Sequence, residues 1–256
     1  MSSEETIPVA AAASQSPILV VADAHVKAGT PSRDFFFRML EWISTTAYDV
    51  VFLGDIMELW IGVPSYESEM HRAFVAWCKE EKSRRKIFFL EGNHEYFVLA
   101  HHRECFTACG EDDLLVGETV FSHGDYQLAE DAHRRFRWWT KSWLAHFLLK
   151  FMPFAPAYVR HLKSKLERKS RERYHRFPGP ELNAWGRDKF SQEDTPKAYI
   201  LGHFHKGLCV KRNDGRLFAV LPAWKEQGEV GLYYPEDNLI FFRNWRSLQN
   251  ASTSTK

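Results

Sequence analysis

Cysteine is scarce in this chain. There are four in 256 residues, Cys78, Cys105, Cys109 and Cys209. Their spacing makes no secreted disulfide framework. Cys105 and Cys109 are spaced C-x3-C without a second pair, so a zinc site there is a weak expectation and buried or free thiols the better one. A reducing cytoplasm suits such thiols. Long apolar runs are missing too. The most apolar stretch, residues 143–159, is broken by Lys150, Pro153 and Pro156, and is too short to cross a bilayer. Residues 1–16 lack the basic start and apolar centre of a signal peptide, and read as a disordered lead. Net charge is also nearly absent, at +1. Its distribution is uneven: residues 131–177 carry 13 Lys and Arg against 3 Asp and Glu, while the rest carry 21 against 30. A basic segment of that kind is expected to face phosphate, a membrane surface or nucleic acid.

What is present is an alternation. Apolar runs at 18–22, 50–53, 87–90, 119–121 and 198–201 read as buried strands, each running into a polar residue. Helical stretches at 32–46 and 68–83 lie between the first of them, as in a β-α-β core. Runs at 217–221, 229–234 and 239–242, separated by Asn213-Asp214-Gly215 and by residues 235–238, read as antiparallel strands. The expectation is a pair of sheets flanked by helices. Residues 131–177 interrupt it without a strand signal. Phe136, Trp139, Trp143, Phe147 and Phe151 recur every three or four residues with Leu144 and Leu148 beside them, an aromatic helical face. Beyond the Pro153/Pro156 break, 158–176 reads as a basic helix. The tail from Gln249 is expected to fray.

Five short motifs sit at the predicted strand ends. They are Asp23-Ala24-His25, Gly54-Asp55, Gly92-Asn93-His94-Glu95, His123-Gly124-Asp125 and Gly202-His203-Phe204-His205. Ligands of open α/β sheets gather outside the carboxyl ends of strands. Asp23 and His25, two apart on an extended backbone, would point to one side, as would His203 and His205. Asp55 has two oxygens and can bridge. One divalent metal would take Asp23, His25, Asp55 and His205; the other Asp55, Asn93, His123 and His203. Mixed nitrogen and oxygen donors suit Mn, Fe, Zn or Co better than Ca. Two such ions activate water and clamp an in-line displacement at phosphorus. A lone Asp-x-His or Gly-Asp is usually only a turn; the ordered set of five reverses that balance. His71, His101, His102 and His161 lie off the strand ends and read as surface or packing residues. Asp125 would orient His123 or cap a turn.

The pattern D-x-H, G-D, G-N-H-E, H and G-H-x-H resembles that of the calcineurin-like metallophosphoesterase superfamily, over about residues 17–245. That resemblance implies an α/β fold, the four-layer αββα sandwich, with an inserted helical lid at 131–177 and a flexible tail at 246–256. A narrower resemblance is to the UDP-2,3-diacylglucosamine diphosphatases of lipid A synthesis. It is carried by Gly54-Asp55-Ile56-Met57-Glu58-Leu59-Trp60, by His123-Gly124-Asp125 with Glu130 and Asp131, and by Trp224 after the last motif. It implies a manganese-type hydrolase that splits the pyrophosphate of an acylated sugar nucleotide, with the lid gripping acyl chains at the inner face of the membrane. Asn93, His94, Asp131 and Ser170 would contact the substrate, and His94 and Asp55 would serve the chemistry.

Two positions depart from that branch. It usually carries Arg after the Asn, where this chain has His94. Arg stabilises the charge of a departing phosphate; a departing alkoxide needs a proton, which His94 can supply. In the lid the branch tends to carry Ser and, four residues on, Asn; Ser170 matches and Tyr174 does not. A phosphomonoesterase or phosphodiesterase with another substrate is therefore the second reading. A binding scaffold on a degenerate fold ranks low, because none of the seven ligands is missing. Single-stranded nucleic acid on the basic, aromatic segment is a further alternative, without an obligate nucleic-acid partner.

Overall fold

In the computed structural model, residues 9–11, 16–129, 131–151, 177–191 and 195–253 are described. The strands in chain order are β1 (Val9–Ala11), β2 (Ile18–Val21), β3 (Asp49–Leu53), β4 (Trp60–Ile61), β5 (Ile87–Leu90), β6 (Glu95–Tyr96) and β7 (Ala108–Gly110). They continue with β8 (Asp113–Val116), β9 (Thr119–Ser122), β10 (Ala198–Leu201), β11 (Leu208–Lys211), β12 (Leu217–Val220), β13 (Glu229–Tyr234) and β14 (Leu239–Asn244). The α-helices are α1 (Pro31–Ile43), α2 (Glu69–Glu81), α3 (Val98–His102), α4 (Asp131–Thr140), α5 (Trp143–Phe151), α6 (Gly179–Lys189), α7 (Trp224–Gln227) and α8 (Trp245–Thr253).

One sheet runs β14-β13-β2-β3-β5-β7 and a second β1-β8-β9-β10-β12-β11; β4 and β6 form a two-stranded ribbon. The two-residue period of a strand decides what each residue touches. In the first sheet Val20, Val51 and Phe88 pack with Phe121, Ile200 and Ala219 of the second. Their neighbours Leu19, Val50, Phe52 and Phe89 turn the other way, onto Phe36 and Met39 of α1 and Phe74 and Cys78 of α2. On the far side of the second sheet, Leu201, Phe218 and Val220 pack with Leu182 of α6. The layers are therefore helix, sheet, sheet, helix, as the resemblance implied. Strands buried on both faces explain the unbroken apolar runs. Truncating Phe88 in the inter-sheet layer to Ala would cost about 3–5 kcal/mol.

Strands β2, β3 and β5 are parallel neighbours, and so are β9 and β10. Their carboxyl ends carry the five motifs; parallel pairing aligns them within each sheet, and the packing of one sheet on the other brings them to one rim of the double sheet. Residues 131–151, between the fourth and fifth motifs, form two helices rather than one, with a break at Lys141 and Ser142. Ser170, Tyr174, His161 and the predicted basic helix 158–176 lie outside the described residues, as does the side chain of Asp131.

Two terminal expectations differ from the structure. The lead contains β1, paired in parallel with β8, because the edge of that sheet offers free backbone groups. The tail forms α8 as far as Thr253 instead of fraying from Gln249. Trp245, at its start, is buried against the core, and Leu248 packs beside it.

Candidate metal centre

Five of the seven expected ligands sit in a backbone conformation that side chains other than glycine rarely adopt. Their φ values are +52° for Asp23, +43° for His25, +52° for Asp55, +68° for His203 and +60° for His205. Left-handed residues of this kind cost of order 1–3 kcal/mol each, and they persist where surrounding bonds hold them. Those bonds are present. The amides of Asp23, His25 and Val26 donate to the carbonyls of Gly54 (3.2 Å), Asp55 (2.9 Å) and Ile56 (3.0 Å), zipping two strand ends together. The amide of His203 donates to Asp23 Oδ2 at 2.8 Å, joining the second sheet to the first. Asp23 with His25, and His203 with His205, thus converge through left-handed turns. The extended backbone expected for each pair is not what aligns them.

Glycine at 54 and 92 is a steric requirement. A Cβ on Gly54 would stand 2.4 Å from His123 Nδ1, and one on Gly92 would stand 2.2 Å from Asp55 Oδ1. The side chains gathered above them form three groups. Asp23, His25 and His205 converge in one, Asp55, His123 and His203 in a second, and His25, Asp55 and His94 in a third that joins the other two. Asp55 lies between them. Its Oδ1 accepts the His94 amide at 2.8 Å. Its Oδ2 is 3.7 Å from His25 Nε2, 3.5 Å from His123 Nε2 and 3.9 Å from His94 Nε2. On the other carboxylate, Asp23 Oδ1 is 3.3 Å from His205 Nε2. Asn93 Oδ1 is 3.3 Å from His123 Nε2.

Backbone carbonyls set the imidazole tautomers. His123 Nδ1 donates to the Leu53 carbonyl at 2.9 Å and His94 Nδ1 to the Glu58 carbonyl at 2.6 Å. A carbonyl can only accept, so each ring keeps its Nδ1 proton and turns Nε2 toward Asp55. Burial opposes charge on every group here, and the balance falls out differently around the site. It drives His25 well below the ordinary imidazole range, and, with the neighbouring His123, takes His203 down to about 4. At His123 the adjacent Asp55 carboxylate overrides burial and raises the imidazole to about 10. Asp55, against its own burial, is held well below the carboxylate range by His94 and His123. Asp125 is buried and its charge bears on both His123 and His203.

Do these residues fit metal ions? Buried atoms of His25 (Nδ1 and Nε2) and His203 (Nδ1) have no hydrogen-bond partner. Buried polar atoms are ordinarily satisfied, and these belong to the types that ligate divalent cations. The donor set could hold a divalent metal.

Three contributors to the site were not singled out by sequence reasoning. The buried Glu95 carboxylate accepts the amides of Asp55 (2.7 Å), Ile56 (2.8 Å), Met57 (3.3 Å) and Gly92 (2.9 Å). Burial first, then the Asp55 charge, raise it to about 7. Glu58 stands 3.6 Å from His25 Nδ1 and 3.3 Å from Lys27 Nζ. Lys141 reaches the Glu91–Gly92 segment from the break between α4 and α5. Glu95 lies within the Gly92–Glu95 motif and Glu58 within the 54–60 segment; no spacing signal marks Lys141. Trp224 is a core residue whose amide donates to the Ala22 carbonyl at 3.0 Å, holding α7 under the Asp23 turn. His71 stacks on Trp60 and His102 donates to Glu67. Cys78, Cys105, Cys109 and Cys209 are all free thiols.

The family model for calcineurin-like phosphoesterases matches residues 16–207. The chain belongs to that family. It is accordingly a phosphoester or pyrophosphate hydrolase. Among curated proteins, the UDP-2,3-diacylglucosamine hydrolase of Shewanella pealeana is 26% identical over 223 residues, covering 83% of this chain and 92% of that protein. The protein of the same name from Ralstonia nicotianae is 28% identical over 142 residues, where the match spans about half of each, 52% of this chain and 53% of the relative. Among solved structures, the Pseudomonas putida nuclease MPE aligns with 12% identity and a TM-score of 0.37, over 88% of this chain and 87% of that one.

Proposed function

We propose that Asp23, His25, Asp55, Asn93, His123, His203 and His205 hold two divalent metals, manganese in the cell, and that the enzyme splits the pyrophosphate of an acylated sugar nucleotide. One observation carries the dinuclear reading: a single oxygen of Asp55 lies within 4 Å of imidazole nitrogens from both ligand groups. The names of the relatives support the substrate class. Bound there, the two ions supply Lewis-acid polarisation of a phosphoryl group and acidify water.

The protein's own contribution is orientation and proton control. Glu95 fixes the Asp55 and Gly92 amides, so Asp55 and Asn93 approach the substrate phosphate from set directions. His94, with Nδ1 spent on the Glu58 carbonyl, has Nε2 for the substrate. In its imidazolium form that nitrogen donates to a phosphoryl or leaving-group oxygen; in its neutral form it can only accept. The inserted helices expose Trp138, Trp143 and Phe151 at 76%, 78% and 62%. Exposed aromatic side chains of that kind suit acyl chains or the membrane that holds them. Among the described residues no helix is long and apolar enough to cross a membrane.

His94 favours one second reading, a phosphomonoesterase or phosphodiesterase whose leaving group needs a proton. A substrate panel with added manganese separates the two: UDP-2,3-diacylglucosamine, bis-p-nitrophenyl phosphate and mononucleotides. UMP release from the lipid nucleotide well above the generic esters is the expected result. Good ester turnover without that release would replace the first reading with the second.

A further inference from the structure

The loop that carries Asn93 and His94 is held from two sides. From beneath, Glu95 Oε2 accepts the Gly92 amide at 2.9 Å. From the inserted helices, Lys141 Nζ donates to Glu91 Oε2 at 3.0 Å and to the Gly92 carbonyl at 3.2 Å. The second Glu91 oxygen accepts the Leu99 amide at 2.9 Å. Both side chains of the ion pair are withdrawn from solvent, at 9% for Lys141 and 2% for Glu91.

Lys141 occupies the break between α4 and α5, and α5 is seated independently of it. His146 stacks on Phe97 with ring centres 4.6 Å apart, and its Nε2 is 3.1 Å from His101 Nε2. Tyr66 donates its hydroxyl to the Leu149 carbonyl at 3.1 Å. Ala145 and Leu149 pack on Ile61, Val63 and Tyr96, around the β4–β6 ribbon. The seat needs no buried charge to hold it. A buried ion pair is a poor way to gain stability, because desolvation offsets most of the attraction. What the ammonium does that an apolar side chain cannot is bind a carbonyl and a carboxylate at once.

We propose that Lys141 is a positioning residue for the reaction. By gripping Glu91 and the Gly92 carbonyl, it ties the docked helices to the loop that presents Asn93 and His94. The proposal rests on the phosphohydrolase reading of this site. It implies that the insertion does more than cover the substrate: its seating sets the geometry of the centre.

The test compares K141M, K141R and the double variant E91Q/K141M with wild type. The readouts are urea unfolding, Mn2+ binding by titration calorimetry, and kcat and KM for bis-p-nitrophenyl phosphate, at a temperature where every variant is folded. K141M alone strands a buried carboxylate and loses stability. E91Q removes that charge while its amide oxygen still accepts from Leu99, so the double variant regains stability. A displaced loop should nevertheless leave the double variant's kcat about tenfold or more below wild type, as small misplacements near a reacting centre do. Its KM should change less, and Mn2+ binding should weaken; K141R should restore part of each. A double variant with wild-type kcat and Mn2+ binding would reduce the pair to a structural salt bridge and overturn the proposal. The same kcat criterion applies if stability is not regained. A wild-type protein that neither binds Mn2+ nor cleaves the ester would instead defeat the parent reading.

Discussion

Replacing Glu95 with Gln should damage stability and catalysis together, and the structure sets the size. One carboxylate oxygen accepts from Ile56 and Met57, the other from Asp55 and Gly92. The substitution keeps the shape but turns one oxygen into an NH2 group, so one pair of buried amides loses its acceptor and meets a donor. At about 1–3 kcal/mol for each unsatisfied group, the loss is roughly 2–6 kcal/mol. Removing a buried charge offsets part of it, leaving about 2–4 kcal/mol against a total stability of about 5–15 kcal/mol. Urea unfolding with metals chelated measures this, as a lower midpoint at unchanged slope. Both amide pairs border Asp55 or Gly92, so kcat should fall by about 10²-fold as well. An unfolding free energy within about 0.5 kcal/mol of wild type, with kcat intact, would show that these four bonds do not hold the site.

Three further outcomes follow from the same geometry. Asp55→Asn keeps the acceptor for the His94 amide but removes the shared charge; metal content measured after desalting should collapse along with activity, and full metal content would end the bridging assignment. His94→Ala should slow alkyl phosphodiesters by about 10²-fold or more while activated nitrophenyl esters lose much less, since general-acid help matters only for basic leaving groups; equal losses would make His94 a binding residue. His71 accepts the Ser68 amide in the cap of α2 at 3.1 Å, and burial lowers its pKa to about 4. Only the unfolded chain takes up a proton between about pH 6.5 and 4, so the neutral ring's contribution is complete above pH 6.5 and is lost as pH falls toward 4, by about 3 kcal/mol at most. His71→Gln keeps a cap acceptor and does not titrate, so its stability should decline less over that window; parallel pH profiles would contradict the assignment.

Much of the fold was legible because it depends on local pattern. Residues 18–21, 50–53 and 87–90 are apolar on both faces, which only a doubly covered strand requires. The short strands were not legible: β4 and β6 have two residues each, and β11 alternates half-buried and exposed positions. The α8 helix was missed because its stability comes from Trp245 docking on distant core residues, not from its own sequence.

The amino-acid order by itself determined which donors exist and that each follows a buried strand, because strand burial and residue type are written locally. Whether those donors meet is a tertiary matter. Parallel pairing within each sheet, and the packing of one sheet on the other, bring five strand ends to one rim. Left-handed turns, held by bonds such as that from the His203 amide to Asp23, 180 positions away, then aim the side chains inward. Lys141 belongs wholly to that second category: it is one of 34 Lys and Arg in the chain, and only the docking of the inserted helices sets it beside Gly92.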